Sequence, residues 1–257
     1  MNRRLRWLWI PAILAYAFLY APLVIVVVYS FNDSRLNAQW VGFTFSWYQK
    51  LFHNDKMLQA AWNSLLIGIT ASAVSTVFGT MAGYAMYRFR MRLLPLLVLA
   101  PIAVPEILMG VSLLIFFVLL NISLGMISII LAHIAFCIGF VAIVVRSRLA
   151  GMDESLTEAA RDLGATPWKA FRLVTLPLIM PGVVAGALMA FTLSIDDFVI
   201  TFFTAGVGST TLPLQIYTMV KIAVTPEVNA ISTLLMMLTL ALIMVASRLA
   251  PGSLRAQ

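Results

Sequence analysis

Charge is scarce in this sequence. Only 11% of its 257 residues are Asp, Glu, Lys or Arg, against about 25% in soluble domains. A single cysteine, Cys137, excludes an internal disulfide framework. It shares a helical face with His133 at i, i+4 spacing, as zinc ligands do, but no third or fourth ligand accompanies the pair. Polar packing is therefore the reading for both, and no metal site is expected. No G-x-x-x-x-G-K-[ST] run occurs, and Gly206-Val-Gly208-Ser-Thr-Thr only approaches one, so the chain is not expected to bind ATP. The serines lack a positioned His–Asp pair, and Asp196-Asp197 lacks the second-span partner of an intramembrane aspartyl protease. Catalysis is not expected. Internal repeats, low-complexity tracts and a separable soluble domain are missing too.

What fills the chain is apolar. Hydrophobic residues make up 62%, more than a soluble core uses, which predicts an all-α membrane protein with six transmembrane helices. The first apolar run, 10–30, follows Arg3, Arg4 and Arg6. It is longer than the ~7–15-residue core of a cleaved signal and continues past Ala15-Tyr-Ala17, so it reads as an uncleaved first span. Residues 31–60 are polar and aromatic: Asn32-Asp33-Ser34 mark a turn, and Trp40, Phe43, Trp47, Tyr48 and Phe52 suit a membrane interface. Further spans are predicted over 61–87, 93–120 with Pro101 and Pro105 inside, from the turn at 121–125 to 145, from 178 to 200, and over 229–248. The Gly/Thr-containing segment 201–228 is predicted to lie outside.

Thirteen of the seventeen basic residues fall on one side of these spans: Arg3, Arg4, Arg6, Arg88, Arg90, Arg92, Arg146, Arg148, Arg161, Lys169, Arg172, Arg248 and Arg255. Only Arg35, Lys50, Lys56 and Lys221 fall on the other. The positive-inside rule then places the N and C termini and the long polar loop in the cytosol. The net charge of +7 marks topology and forms no patch or stripe, which argues against a nucleic-acid partner. The expected organisation is a first helix with an outer aromatic segment (1–60), a core (61–248) that includes the polar loop 146–177, and a cytosolic tail (249–257).

That loop is the long polar interval on the cytosolic side. Asp153 is placed to cap a short helix, with Ser155 and Glu158 offering a competing capping-box start. Leu156, Ala159, Ala160 and Leu163 form one apolar face. Gly164 is placed to end the helix in the left-handed conformation, and Thr166-Pro167 to start a second one through Trp168, Phe171 and Val174. Such a helix either lies on lipid or is presented to a soluble partner. Glu158 and Asp162 oppose adhesion to an anionic leaflet and favour the partner. The run Glu158-Ala159-Ala160, three residues, Gly164, nine residues, Val174, one residue, Leu176-Pro177 resembles the EAA loop of ABC importer permeases, with Val174 where Ile is usual. The resemblance implies the type I ABC importer permease fold. It also implies a coupling helix that docks into a groove on an ATP-hydrolysing subunit, carried by Glu158, Ala159, Ala160, Asp162, Gly164, Leu176 and Pro177.

Three acids fall inside predicted spans: Glu106 after Pro105, and Asp196-Asp197. A mid-bilayer carboxylate costs roughly 2.5–3.5 kcal/mol even on lenient scales, so each needs a reason. A rise of ~1.5 Å per residue puts Glu106 ~20 Å and Asp196 ~27 Å from the cytosolic ends of their helices, both in the outer half of the membrane. They either hydrogen-bond between helices, or end a span, or line a water-filled route that attracts ammonium groups. Consecutive residues stand ~100° apart on a helix, so at most one aspartate shares a ligand with Glu106. Tyr29, Phe31, Phe198 and Tyr217 lie near the same height, where a ring face attracts an ammonium by ~0.5–2 kcal/mol, although packing accounts for any single one as well.

Asn32-Asp-Ser-Arg35, Trp40 through Tyr48, Phe191-Thr-Leu-Ser-Ile-Asp-Asp197, Leu212-Pro213 and Thr225 through Ala230 are similar to the permeases of spermidine/putrescine importers. This resemblance implies a polyamine substrate and an inner-membrane, multi-pass subunit. It implies a homologous second permease, an ATP-binding subunit dimer that carries ATP and Mg, and an outer polyamine-binding protein. Glu106, Asp196 and Asp197 match positions where acids are usual, with Tyr29, Phe31 and Tyr217 as further candidates along the route. The alternatives are a permease for another small cationic or organic solute, an ATP-independent cation channel or carrier, and a membrane enzyme using its acids as a proton pair.

Overall fold

The structure, a computed structural model, describes residues 9–34, 39–89 and 93–249, the last helix with side chains to residue 245. Arg3, Arg4, Arg6, Arg35, Arg90, Arg92 and Arg255 of the charge count lie outside the described residues, as do 250–257 of the tail. The described chain is helical, with one isolated bridge between Asn32 and Phe43. It forms two compact units, one from residues up to 58 plus 215–238, the other from 59–214 plus 239 onward.

The first unit holds α1 (Trp9–Tyr29), α2 (Ser46–Phe52) and the start of α3 (Asp55–Arg88). It also holds most of α11 (Leu212–Ile222) and the first part of α12 (Pro226–Leu249). None of the residues of α1 is buried, as suits a helix apolar all round in lipid. Asn32, fully buried, organises the turn after it. Its Nδ2 donates to the Gln39 carbonyl (2.8 Å), its Oδ1 accepts from the Val41 N–H (2.9 Å), and its own carbonyl accepts from Trp47 Nε1 (2.8 Å). The turn leaves the Asn32 side chain fully partnered. α3 begins at Asp55, earlier than the expected 61, because the Asn54 side chain accepts the Met57 N–H (3.3 Å).

The second unit is built around α6 (Met126–Ala150), with α4 (Leu93–Ala103), α5 (Glu106–Leu119), α9 (Leu176–Ile195) and α10 (Val199–Thr204) against one another or against it. Gly79 and Gly83 on α3, and Gly182 and Gly186 on α9, repeat at i, i+4 and so share a helix face. A Cβ at Gly79 would lie 2.6 Å from Val141 Cβ, and one at Gly186 3.2 Å from Val141 Cγ1. At Gly83 it would lie 2.8 Å from the Ala142 carbonyl oxygen, and at Gly182 2.8 Å from Arg148 Cβ. Lipid gives helices no hydrophobic reason to associate, so close backbone approach through small residues does that work. Val141, Val145, Leu149, Ile179 and Ala190 are fully buried at the centre.

Three expectations about the spans are corrected. The third is not straight: α4 and α5 meet at 106°. Pro105 is extended (ψ 134°), brings no N–H to a helix ladder, and disfavours helical geometry at Val104. Among the described residues, five helices are long and apolar enough to cross a membrane, and the bent pair supplies the sixth crossing if counted as one. The fifth starts at Pro167 rather than after Pro177, running through α8 (Pro167–Ala170) and a π-helical turn (Phe171–Thr175) into α9. The turn directly precedes Pro177, where a regular ladder would lack a donor. That span ends at Ile195, before residue 200, and the outer segment 201–228 contains α11 and most of α10. The loop joining those two is held from α3: Asn63 Nδ2 donates to the carbonyls of Gly208 (3.3 Å) and Thr210 (2.9 Å), and Ser64 Oγ accepts the Leu212 N–H (2.8 Å).

Gly79→Ala is expected to destabilise the fold by about 1–3 kcal/mol, since backbone at Ile138 as well as Val141 must give way. The measurement is the thermal unfolding midpoint in detergent. Gly42→Ala, with no atom within 4 Å of the added Cβ, should stay within about 0.5 kcal/mol of the parent.

Candidate functional site

The polar loop 146–177 closes as its sequence predicts. Asp153 Oδ1 accepts the Ser155 N–H (3.0 Å) and α7 (Ser155–Asp162) follows. Ser155 supplies no side-chain cap, so the competing capping-box start is not used. The Ser155 hydroxyl and N–H hold the exposed Asp153 carboxylate below its ordinary value of 3.8. This cap is therefore present at neutral pH and is lost only as pH falls below that value. At the other end, Gly164 has φ +87°. Its N–H bonds the Arg161 carbonyl (2.9 Å) and the Ala165 N–H bonds the Ala160 carbonyl (3.0 Å), the paired bonds of a Schellman closure. Thr166 Oγ1 accepts the Lys169 N–H (3.3 Å) and Pro167 opens α8.

This helix pair is tied back to the membrane helices at three points. Tyr87 OH on α3 donates to Glu154. Thr157 and Thr175 hydroxyls meet at 3.4 Å, and the Phe171 ring packs edge-on against Tyr84 at 4.8 Å. Between these ties lies a cavity of about 190 Å³, with Arg88, Glu154, Glu158 and Arg161 in its wall. The outward side is bare: Glu158, Ala159 and Asp162 are exposed, as are Leu156 and Trp168, and Leu163 is 90% exposed. The apolar face inferred from helical spacing is thus uncovered by the chain itself among the described residues. Ala160 and Leu176 are half-buried, and Pro177 is exposed.

The acids are divided by the fold. Asp197 follows the end of α9 and turns inward, its side chain 6% exposed. Its carboxylate accepts from the Ile200 N–H (3.3 Å), the Thr201 N–H (2.8 Å) and Thr201 Oγ1 (3.0 Å), capping α10. His133 of α6 stands beside it, Nε2 at 3.3 Å from Oδ2. That imidazole also lies 3.0 Å from Thr201 Oγ1 and, through Nδ1, 2.7 Å from Ser194 Oγ. The Thr201 hydroxyl proton is given to Asp197, so Nε2 must carry the hydrogen that faces Thr201 and the carboxylate. Asp196, one residue earlier, is exposed. Glu106 is itself exposed and is the first residue of α5, directly after the bend.

Sequence reasoning set His133 aside as a packed polar residue. The signal that pointed to it was the cost of Asp197, which calls for a donor from another helix, and His133 is the histidine placed in a predicted span. Cys137, its neighbour one turn on, bonds the Ala190 carbonyl at 3.6 Å, and no metal-ligating cluster occurs among the described residues. Of the aromatic candidates, Tyr29, Phe31 and Tyr217 belong to the first unit and Phe198 to the second. Phe31 sits in a cluster with Phe43 (5.1 Å), Tyr48 (5.2 Å) and Phe45 (5.4 Å), and Tyr29 meets Trp40 edge-on at 6.1 Å. Tyr217, on α11, is 43% exposed.

Comparison with known proteins settles the family. Residues 75–251 match the family described as binding-protein-dependent transport system inner membrane component. The chain belongs to that family. It is 45% identical over 237 residues to the spermidine/putrescine transport system permease protein PotC of Escherichia coli strain K12, covering 91% of this chain and 89% of PotC. It is 42% identical over 240 residues to the putrescine transport system permease protein PotI of the same strain, covering 90% and 85%. Among solved structures, a bacterial ABC transporter involved in the import of the acidic polysaccharide alginate matches with TM-score 0.73 at 18% identity, over 96% of this chain and 98% of the other. The inward-facing MetNI methionine ABC transporter matches with TM-score 0.66 at 23% identity, over 79% and 100%. The fold is that of type I ABC importer permeases, and this family member is a multi-pass membrane protein.

Gly164→Ala isolates the backbone of the loop, because no atom lies within 4 Å of the added Cβ. The left-handed conformation alone should cost about 1–2 kcal/mol. Amide hydrogen exchange in α7 is then expected to quicken roughly 5–30-fold. Unchanged exchange would show that the turn is not held by this glycine.

Proposed function

We propose that the chain is the permease subunit of an ATP-driven importer of polyamines of the putrescine and spermidine class, working in the inner membrane with both termini cytosolic. The observation that carries this is the 45% identity over 91% of the chain to a spermidine/putrescine permease. The exposed carboxylates of Glu106 and Asp196 give that likeness a chemical basis. A polyamine leaves water with two or three ammonium groups, each of which needs a compensating oxygen. Carboxylates one on either side of a route meet that need without a metal.

Hydrolysis belongs to a partner. The complex would comprise this chain, a homologous permease, two ATP-binding subunits that carry ATP and Mg, and an outer polyamine-binding protein. The exposed side of α7, with Glu158, Ala159, Ala160 and Asp162, is the surface for the ATP-binding subunit. Gly164 shapes the bend, and Leu176-Pro177 joins it to the fifth span. The inside-negative potential already draws each ammonium inward by ~2.3 kcal/mol per 100 mV. Work from ATP is accordingly spent on opening and closing the route.

The test is ATP-dependent uptake of radiolabelled spermidine and putrescine by the complex expressed from its neighbouring genes, with competition by a polyamine panel. Mutual competition among polyamines, with no competition from neutral amino acids, is the expected pattern. Uptake blind to polyamines sinks the assignment. Glu158→Lys should leave insertion and ATP hydrolysis in place while lowering uptake at least about tenfold, a loss of ~1.4 kcal/mol in coupling. Normal uptake in that variant removes Glu158 from the coupling role.

A further inference from the structure

Three intramembrane acids are more than two carboxylate ligands require, and the structure treats them unequally. Asp197 is buried with donors on it from Ile200, Thr201 and His133. Asp196 is exposed, as is Glu106. His133 touches all three parts of the break: Ser194 in the last turn of α9, Asp197 in the gap, and Thr201 in α10. It reaches them from α6, the helix against which both α9 and α10 pack.

We propose that His133 is a positioning residue for cation passage. It compensates Asp197 and pins the α9–α10 break, so that Asp196 is presented with Glu106 as the carboxylate pair that receives the substrate's ammonium groups. Asp197 is then a structural carboxylate, spent on capping α10. Two consecutive acids acquire opposite duties because α9 ends just before them, at Ile195, with one turned toward α6 and the other left exposed. The reading rests on the polyamine assignment above.

Without the imidazole, Asp197 keeps its helix-capping bonds but loses the donor that ties it to α6. The carboxylate then has reason to turn toward the route, where it would compete with Asp196 for position. The consequence falls on substrate affinity first. Removing an outer partner of an ion-binding group typically lowers affinity roughly 10–100-fold.

The experiment measures KM and maximal rate of putrescine and spermidine uptake, together with co-purification of the ATP-binding subunit. Asp196→Asn and Glu106→Gln test the underlying carboxylate pair: if both keep the parental KM, that pair is not the ligand, whatever His133 does. With the pair upheld, His133→Ala is expected to raise KM roughly 10–100-fold while maximal rate and co-purification stay within about twofold. An unchanged KM in an assembled His133→Ala complex overturns the proposal and leaves the carboxylate pair standing.

Should His133→Ala fail to assemble, the double variant His133→Gln with Asp197→Asn decides. Asn still caps α10, and the Gln amide can donate toward Thr201 and accept from Ser194, so the break is held with no charge in it. KM within about threefold of the parent supports positioning. A KM raised as far as in Asp196→Asn shows that the Asp197 charge itself meets substrate, and the proposal falls.

Discussion

The interior of a bilayer has no water to offer a polar group, and the arrangement of this chain follows from that constraint. At two of its helix breaks, side chains supply the missing backbone bonds. Asn63 and Ser64 of α3 serve the loop between α10 and α11. Asp197, with His133 behind it, serves the start of α10. The breaks are also where exposed charge appears: Glu106 opens α5 after the 106° bend, and Asp196 closes α9. Both of these exposed acids thus stand at helix ends rather than in helix interiors.

Packing solves a second problem with the same economy. α3 and α9 approach α6 through glycine pairs at i, i+4, and both reach Val141. Side chains larger than hydrogen there would separate the helices that His133 must bridge, since its imidazole spans from α6 to the α9–α10 break with bonds of 2.7–3.3 Å. Short polar bonds between helices depend on close backbones, and close backbones depend on glycine. The polar network and the small-residue contacts are thus one construction.

Much of this was legible in the sequence. The apolar runs located the crossings, since twenty apolar residues have few other uses. Gly164, Thr166 and Pro167 announced the bend of the polar loop 146–177, because their roles depend on local backbone chemistry alone. The break at Pro105 was visible as a proline but not as a bend of 106°, because prolines inside membrane helices are often accommodated by neighbours that a single sequence does not reveal. The π turn before Pro177 was hidden for the same reason. Among the acids, the angle between consecutive helical residues did not decide the outcome, because α9 ends at Ile195, and the contact that holds Asp197 inward comes from His133, more than sixty positions away. Long-range partners of that kind leave no periodic signal.

One property of the bend at Gly164 bears on how its outer surface can vary. Its closure is made by main-chain bonds at Ala160, Arg161, Gly164 and Ala165, with glycine supplying only a dihedral angle. The side chains on its outer surface are therefore not needed to hold its shape. A surface whose form is independent of its lettering can be rewritten while the hinge beneath it stays intact.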